Sequence, residues 1–314
     1  MISTTLASFA ALGAAFTWGL GSMLFSRSLV PSAAREALAP AAANLFKNTL
    51  ALALFVVAAL VLGETLPAFE AWPRLLLSGA FGFALGDTLY FAALPRIGVQ
   101  KSAMLGELNV PFTALLSFAF LGERFAPWLL AAMALVLVGV AVVVSEAPGE
   151  EAASRTVARA GILCAVGAAL FQSLGVLVGH TGMDGASVLG GTIVRMLGGV
   201  GAAFLVAPLG AWITRGSARR EWARLVRPAT DRTLWKPLGL AALFGSVLGL
   251  PLFHLALREL DAGLAMVLFA TTPLFTLPLT RLFGERHGAR AWIGSWIGFA
   301  GVAWIVWLVQ RAVQ

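Results

Sequence analysis

Ten apolar stretches, each close to the length a helix needs to cross a bilayer, constrain this chain more than any other feature. They run approximately over residues 5–27, 39–62, 74–95, 100–121, 127–145, 160–180, 187–211, 236–257, 261–282 and 289–309. A hydrocarbon core about 30 Å thick needs about 20 residues of helix. Lipid offers no partner to a free backbone N–H or C=O, so every stretch is expected to be helical and the fold class to be an all-α membrane protein. Charge is correspondingly scarce: 59% of the residues are hydrophobic, 12% are charged and the mean hydropathy is +0.88. Soluble domains carry roughly 25% charged residues.

The net charge of +7 would suggest nucleic acid in a soluble chain. Here the basic residues sit in short connections between apolar runs, where they orient the chain and touch anionic lipid, so membrane lipid is the expected partner and nucleic acid is not. Trp72, Trp128, Trp212, Trp235, Trp292 and Trp307 mark the edges of the runs, as an interfacial aromatic belt would. Trp18, deep in the first run, is the exception. The first run lacks the basic stretch of a cleavable signal and is expected to remain as a span. Cys164 is the single cysteine, so no intrachain disulfide can form.

The polar connection at 146–159 divides the runs into two sets of five, residues 1–145 and 160–314, and the sets are related. PFTALLSFAFLGER (111–124) and PLFTLPLTRLFGER (273–286) share a proline and a Gly-Glu-Arg at the same interval. GVAVVV (139–144) matches GVAWIV (301–306) at the same offset of 162, GAAFTWGLG (13–21) matches GAALFQSLG (167–175), and Lys47 falls opposite Arg195. A fixed order of self-similar segments is the mark of duplication. Because five is odd, the second unit enters the membrane from the opposite side, which makes the units inverted repeats, an arrangement recurrent in secondary transporters with a midplane site.

The paired helices ending in LGER and FGER, and the glycine-rich final helix WIGSWIGFAGVAWIV, resemble the EamA-type transporters of the drug/metabolite transporter superfamily. The resemblance covers nearly the whole chain and is strongest over 86–144 and 249–306. It implies ten transmembrane helices and secondary transport, often export, of a small polar or amphipathic metabolite or drug across the cell membrane. It also implies cytoplasmic termini. The charge distribution points the other way: with extracytoplasmic termini, sixteen basic residues face inward and four outward, as the positive-inside rule favours. Both orientations stay open at this point, as do monomer and homodimer.

Lys47, Asp87, Glu107 and Arg195 lie inside apolar runs, where a charge costs on the order of 2.5–3.5 kcal/mol and calls for a partner or water. Counted along alternating helices, Lys47, Asp87 and Glu107 share a depth of roughly 12 Å, and Arg195 approaches the same layer from the opposite face. The expectation is a polar cavity in which Asp87 or Glu107 exchanges a proton, against a purely structural ion-pair network. An uncoupled facilitator is the alternative within the fold. Trp18, Asn44, Tyr90, Asn109, Gln172 and Thr271 are candidates for lining the cavity, with helix packing an equally good use for each. Asn44 and Asn48 flank Lys47, and His254 is read as an interfacial histidine. Pro111 and Pro273 are expected at mid-membrane kinks. Gly-Glu-Arg at 122–124 and 284–286 is expected to end helices at the surface.

Enzymatic readings find little support. There is no HExxH, P-loop or CxxC, and three scattered histidines suggest no metal site, so neither cofactor nor metal is expected. An intramembrane enzyme or a non-transporting scaffold remains as a rival class.

Overall fold

The computed structural model describes residues 4–31, 37–122, 127–146, 155–180, 182, 187–213, 218–260, 265, 268–285 and 287–313. Its elements are all helical. In order they are α1 (Thr4–Leu29), α2 (Pro40–Leu62), a 3-10 turn (Phe69–Ala71), α3 (Trp72–Gly79), a first π segment (Ala80–Gly86), α4 (Asp87–Gly106), α5 (Asn109–Leu121) and α6 (Pro127–Val144). Then follow α7 (Arg155–His180), α8 (Val188–Ile213), α9 (Ala218–Thr230), a 3-10 turn (Arg232–Leu234), α10 (Trp235–Ala242), a second π segment (Leu243–Leu248), α11 (Gly249–Glu259), α12 (Thr272–Leu282) and α13 (Ala289–Val313).

Six helices among the described residues are long and apolar enough to cross a membrane, and Asn109–Phe120 and Leu130–Val144 are shorter apolar helices. The difference from ten separate runs has local causes. The runs at 74–95 and 100–121 are joined by a change of direction at Gly98, whose φ of 77° is closed to most side chains. The second of these is then cut by a turn at Glu107–Leu108. Pro111 has no N–H for the Glu107 carbonyl, and a helix cannot run straight past that position. The Glu107 carbonyl instead accepts from Val110 N–H at 3.1 Å. A turn at Ala270–Thr271 precedes Pro273 in the same way, with Leu274 N–H on the Thr271 carbonyl at 2.8 Å.

The order 3-10 turn, eight-residue α-helix, π segment, α-helix occurs twice, at 69–106 and at 232–259. Trp72 corresponds to Trp235, Gly82 to Gly245 and Gly86 to Gly249, all at an offset of 163. At the same offset Asp87 falls opposite Leu250.

Packing interlocks the two sets. α1 packs on α10, the second π segment, α11 and α12, whereas α7 packs on α3, the first π segment, α4 and α5. Each interface contains one backbone-on-backbone crossing. A Cβ on Gly21 would lie 2.4 Å from Gly245 Cα, and one on Gly175 would lie 2.9 Å from the Gly82 nitrogen. Only glycine allows either approach. α6 and α13 pair along their length through Gly139, Gly294 and Gly298.

The polar connection at 214–233 contains α9. Its Trp222 stacks on Phe204 of α8 at 5.4 Å and its Leu225 is buried with Leu45 of α2, while Arg219, Arg220 and Arg224 are exposed. Tryptophan, leucine and arginine at helical spacing are the pattern of an interfacial amphipathic helix, diluted in the sequence by the basic residues around it. Gly122 (φ 70°) and Gly284 (φ 96°) end α5 and follow α12 in the left-handed region. Glu123, Arg124 and Arg286 lie outside the described residues.

Candidate functional site

The first π segment builds the site. A π turn leaves carbonyls outside the regular i to i−4 ladder, and α2 supplies donors for them. Asn44 Nδ2 donates to the carbonyls of Phe83 at 2.7 Å and Ala84 at 3.2 Å and to Thr88 Oγ1 at 2.9 Å. Asn48 Nδ2 donates to the Phe83 carbonyl at 3.0 Å and to Asn44 Oδ1 at 3.1 Å. These bonds hold α2 against the irregular backbone and set Asp87, the next residue after the π segment, opposite Lys47. Lys47 Nζ donates to Asp87 Oδ2 at 2.5 Å, with side-chain exposures of 4% and 6%. Gln172 of α7 donates to Oδ1 at 3.3 Å, and the Lys47 ammonium lies 5.6 Å from the centre of the Phe91 ring.

Asn44, Lys47, Asp87 and Gln172 therefore form one buried cluster drawn from both halves of the chain. A small cavity adjoins it, lined by Trp18, Ser22, Lys47, Phe91, Gly245 and Ser246. Tyr90 donates to Ser22 Oγ at 3.2 Å, and its ring lies 6.3 Å from that of Trp18. Trp18 also touches Phe269, at 6.5 Å. The wall is aromatic on one side and charged on the other, as small-molecule sites commonly are.

The other sequence candidates stand apart. The side chain of Glu107, half-buried in the turn before Pro111, has no hydrogen-bond or ion-pair partner among the described residues, although it interacts electrostatically with Tyr90. It forms no ion pair with Lys47, which is paired with Asp87. Arg195 stacks its guanidinium over Phe83 at 5.1 Å and is near enough to Asp87 to interact electrostatically, yet its buried Nε has no acceptor. The single four-charge layer expected from depth counting is thus one closed pair and two separate ions. Asn109 offers only its carbonyl, to Ser173 Oγ at 2.9 Å. Thr271 Oγ1 donates to its own chain, at Leu268 O, 2.6 Å away. The His254 side chain lies outside the described residues.

A second polar layer was not anticipated. Gln100 of α4 joins Thr276 of α12 and Ser295 of α13, all three buried. Beyond it, Glu146 caps the start of α13 by accepting from Gly288 N–H and Ala291 N–H, both at 2.8 Å, while Lys101 donates to the Glu146 carbonyl at 2.6 Å. His287 bonds Thr280 Oγ1 at 2.7 Å. Burial pushes the His287 imidazole below its usual range, with Lys101 and Arg281 adding to the effect and Glu146 opposing it. Gln100 lies inside an apolar run, the same signal that marked Lys47, but an uncharged amide carries it more weakly.

No group of His, Cys, Asp or Glu among the described residues could hold a metal. A buried ion pair, amide donors and an aromatic wall can bind and orient a polar molecule, and a carboxylate without a partner can take up a proton.

Helices of this length and composition, closed around an intramembrane polar cluster, define a multi-pass membrane protein of all-α class. Residues 5–145 and 159–307 each match the EamA-like transporter family, and the chain belongs to that family. Forty-five residues are 44% identical to the "Uncharacterized inner membrane transporter YedA" of Escherichia coli K12, and equally to that of strain O157:H7. The match spans only 14% of this chain and 15% of the relative's length. A solved crystal structure of a protein with 20% sequence identity shares the fold, with a TM-score of 0.56 over 99% of both chains.

Proposed function

We propose that this chain is a secondary active transporter that exports a small polar or amphipathic metabolite or drug across the cell membrane, by alternating access coupled to protons. Its working architecture in this reading is ten transmembrane helices in two inverted five-helix repeats, residues 1–145 and 160–314, joined by 146–159. The observation that carries the reading is the reciprocal packing: α1 crosses the second π segment through Gly21 and Gly245, and α7 crosses the first through Gly175 and Gly82. Two equivalent crossings give the molecule two interconvertible ways to open, which is what exchange between inverted repeats requires.

Within this scheme Asp87, Lys47 and Gln172 hold the substrate region, Trp18 and Tyr90 supply stacking surface, and Glu107 is the coupling carboxylate. The closed Lys47–Asp87 pair favours Glu107 for that role, since Asp87 is already engaged by Lys47 and Gln172 whereas the Glu107 carboxylate has no partner among the described residues. An uncoupled facilitator is the second reading, favoured by the satisfied ion pair.

Proteoliposomes loaded with radiolabelled candidate substrates decide between them. Glu107→Gln is expected to abolish accumulation driven by a pH gradient while sparing exchange at equal concentrations. Undiminished gradient-driven accumulation in Glu107→Gln and in Asp87→Asn would refute proton coupling through either acid.

A further inference from the structure

The paired π segments carry FGFALG (81–86) and FGSVLG (244–249). These hexapeptides differ at two positions, and one of them, Phe83 against Ser246, lies beside the paired cations of α2 and α8. The Phe83 ring sits under the Arg195 guanidinium, 5.1 Å from its centre. Ser246 lines the cavity that Lys47 also lines. Because Arg195 corresponds to Lys47, the duplication makes the two places equivalent. One is filled by an aromatic ring, and the other is left open where the second half has serine.

Backbone contact holds Ser246 in that place. A Cβ on Gly21 would lie 2.4 Å from Gly245 Cα, so the crossing leaves no slack at the residue before Ser246. The polar side chains around the cavity are all buried: Ser22, Lys47 and Ser246 are 4%, 3% and 2% exposed. Each can give a proton. An ammonium has three donors, of which Lys47 commits one to Asp87. Ser22 Oγ accepts from Tyr90 O–H, which leaves the Ser22 hydroxyl proton to donate, and the Ser246 hydroxyl can supply another. Trp18 and Phe91 form apolar walls. The Lys47–Asp87 pair is neutral as a unit, so the cavity calls for a hydrogen-bond acceptor and not for a net charge, while the ammonium on its lining disfavours a cation. Its room suits a water-sized group, hence one end of a molecule and not the body.

We propose that this cavity takes a carbonyl oxygen of the transported molecule, and that Ser246 determines specificity by setting the room for that oxygen and donating to it. The proposal rests on the transport reading above and narrows it to substrates that lead with an amide, ketone or carboxylate, against those that lead with an amine.

Thermal-shift and calorimetric titration of the purified full-length protein test this with matched probes. Benzamide, acetophenone and benzoate end in a carbonyl group, whereas benzylamine puts an ammonium on the same ring. At least one carbonyl probe is expected to raise the melting temperature where benzylamine does not. Its affinity should fall about three- to tenfold in Ser246→Ala, which keeps the room and removes one hydrogen bond. The fall should be larger in Ser246→Phe, which copies the first half and fills the room; Ser246→Val replaces that variant if it does not fold. Carbonyl binding unchanged in Ser246→Ala and in the larger variant overturns the proposal, as does benzylamine binding as tightly as the carbonyl probes. A cavity that holds water alone would give no response to any carbonyl probe, which overturns it equally. Proteoliposome flux separates this proposal from the transport reading. Saturable flux of a carbonyl probe that ignores Ser246 sinks the proposal and leaves transport standing, whereas Ser246-dependent binding without saturable flux sinks transport and leaves the site standing.

Discussion

Replacing Lys47 by methionine removes the ammonium while keeping most of the side-chain volume, and it strands Asp87 in the interior. At 2.5 Å, with both side chains about one-twentieth exposed, the pair belongs to the buried class. Loss of one partner in that class costs about 3–5 kcal/mol. Asp87 keeps one bond, from Gln172 at 3.3 Å, which places Lys47→Met toward the lower end. For a chain of 314 residues, scaling the unfolding entropy per residue gives about 1.5 °C per kcal/mol, hence a drop in melting temperature of about 5 °C. The double variant Lys47→Met with Asp87→Leu removes both charges and should be less destabilised than the sum of the singles by about 2 kcal/mol or more. Differential scanning fluorimetry in detergent, run on all four proteins of the cycle, measures this directly. A Lys47→Met protein melting within about 1 °C of wild type, or a double variant equal to the sum of the singles, would show that the two charges do not stabilise each other.

Two further perturbations test the packing and the far layer. Gly79→Ala places a methyl 1.6 Å from the Arg195 carbonyl oxygen, against backbone that cannot yield; the variant should lose about 3 kcal/mol or more or fail to fold. Gly201→Ala, exposed in α8 with nothing within 4 Å, should instead gain about 0.5–1 kcal/mol from helix propensity. Equal behaviour of the two in a thermal melt would contradict the close α3–α8 approach. His287 titrates below its usual value in the folded protein, so the unfolded chain takes up the proton first. Stability from this residue is full above about pH 6.5 and declines as the pH falls below it. Melting temperatures of wild type and His287→Gln between pH 8 and 5.5 should diverge, wild type losing more. Parallel curves would exclude His287 from the acid response.

Helical class and duplication were legible because each rests on long, periodic signals: apolar runs of bilayer length, and a proline followed at a fixed interval by Gly-Glu-Arg. That Lys47 and Asp87 need partners was legible because charge inside an apolar run has few destinations, but which acid faces Lys47 was not. The π segments were not, since Ala80–Gly86 and Leu243–Leu248 contain nothing that local propensity distinguishes from an ordinary helix. Their geometry is set by neighbours, namely the glycine crossings and the Asn44 and Asn48 amides. Depth counting assumed a regular rise per residue and so could not foresee the turn at Glu107–Leu108 before Pro111. Gln100, Thr276 and Ser295 come from three separate helices, a convergence that no single stretch displays.

Once the π segments align the halves, the positions that differ are more informative than those that match. Gly21 and Gly175, Gly82 and Gly245, and Pro111 and Pro273 agree across the duplication, and each has a backbone reason to do so. Such positions maintain a frame that both halves need, so they cannot encode what the molecule recognises. Asp87 against Leu250, Glu107 against Phe269, Trp18 against Gln172 and Tyr90 against Phe253 do not agree. Lys47 against Arg195 keeps its charge but changes its geometry, from a compact ammonium closed on an aspartate to a planar guanidinium stacked over Phe83. In the proposed mechanism, a duplicated frame with unlike residues at its centre would give two equivalent gates around one asymmetric site.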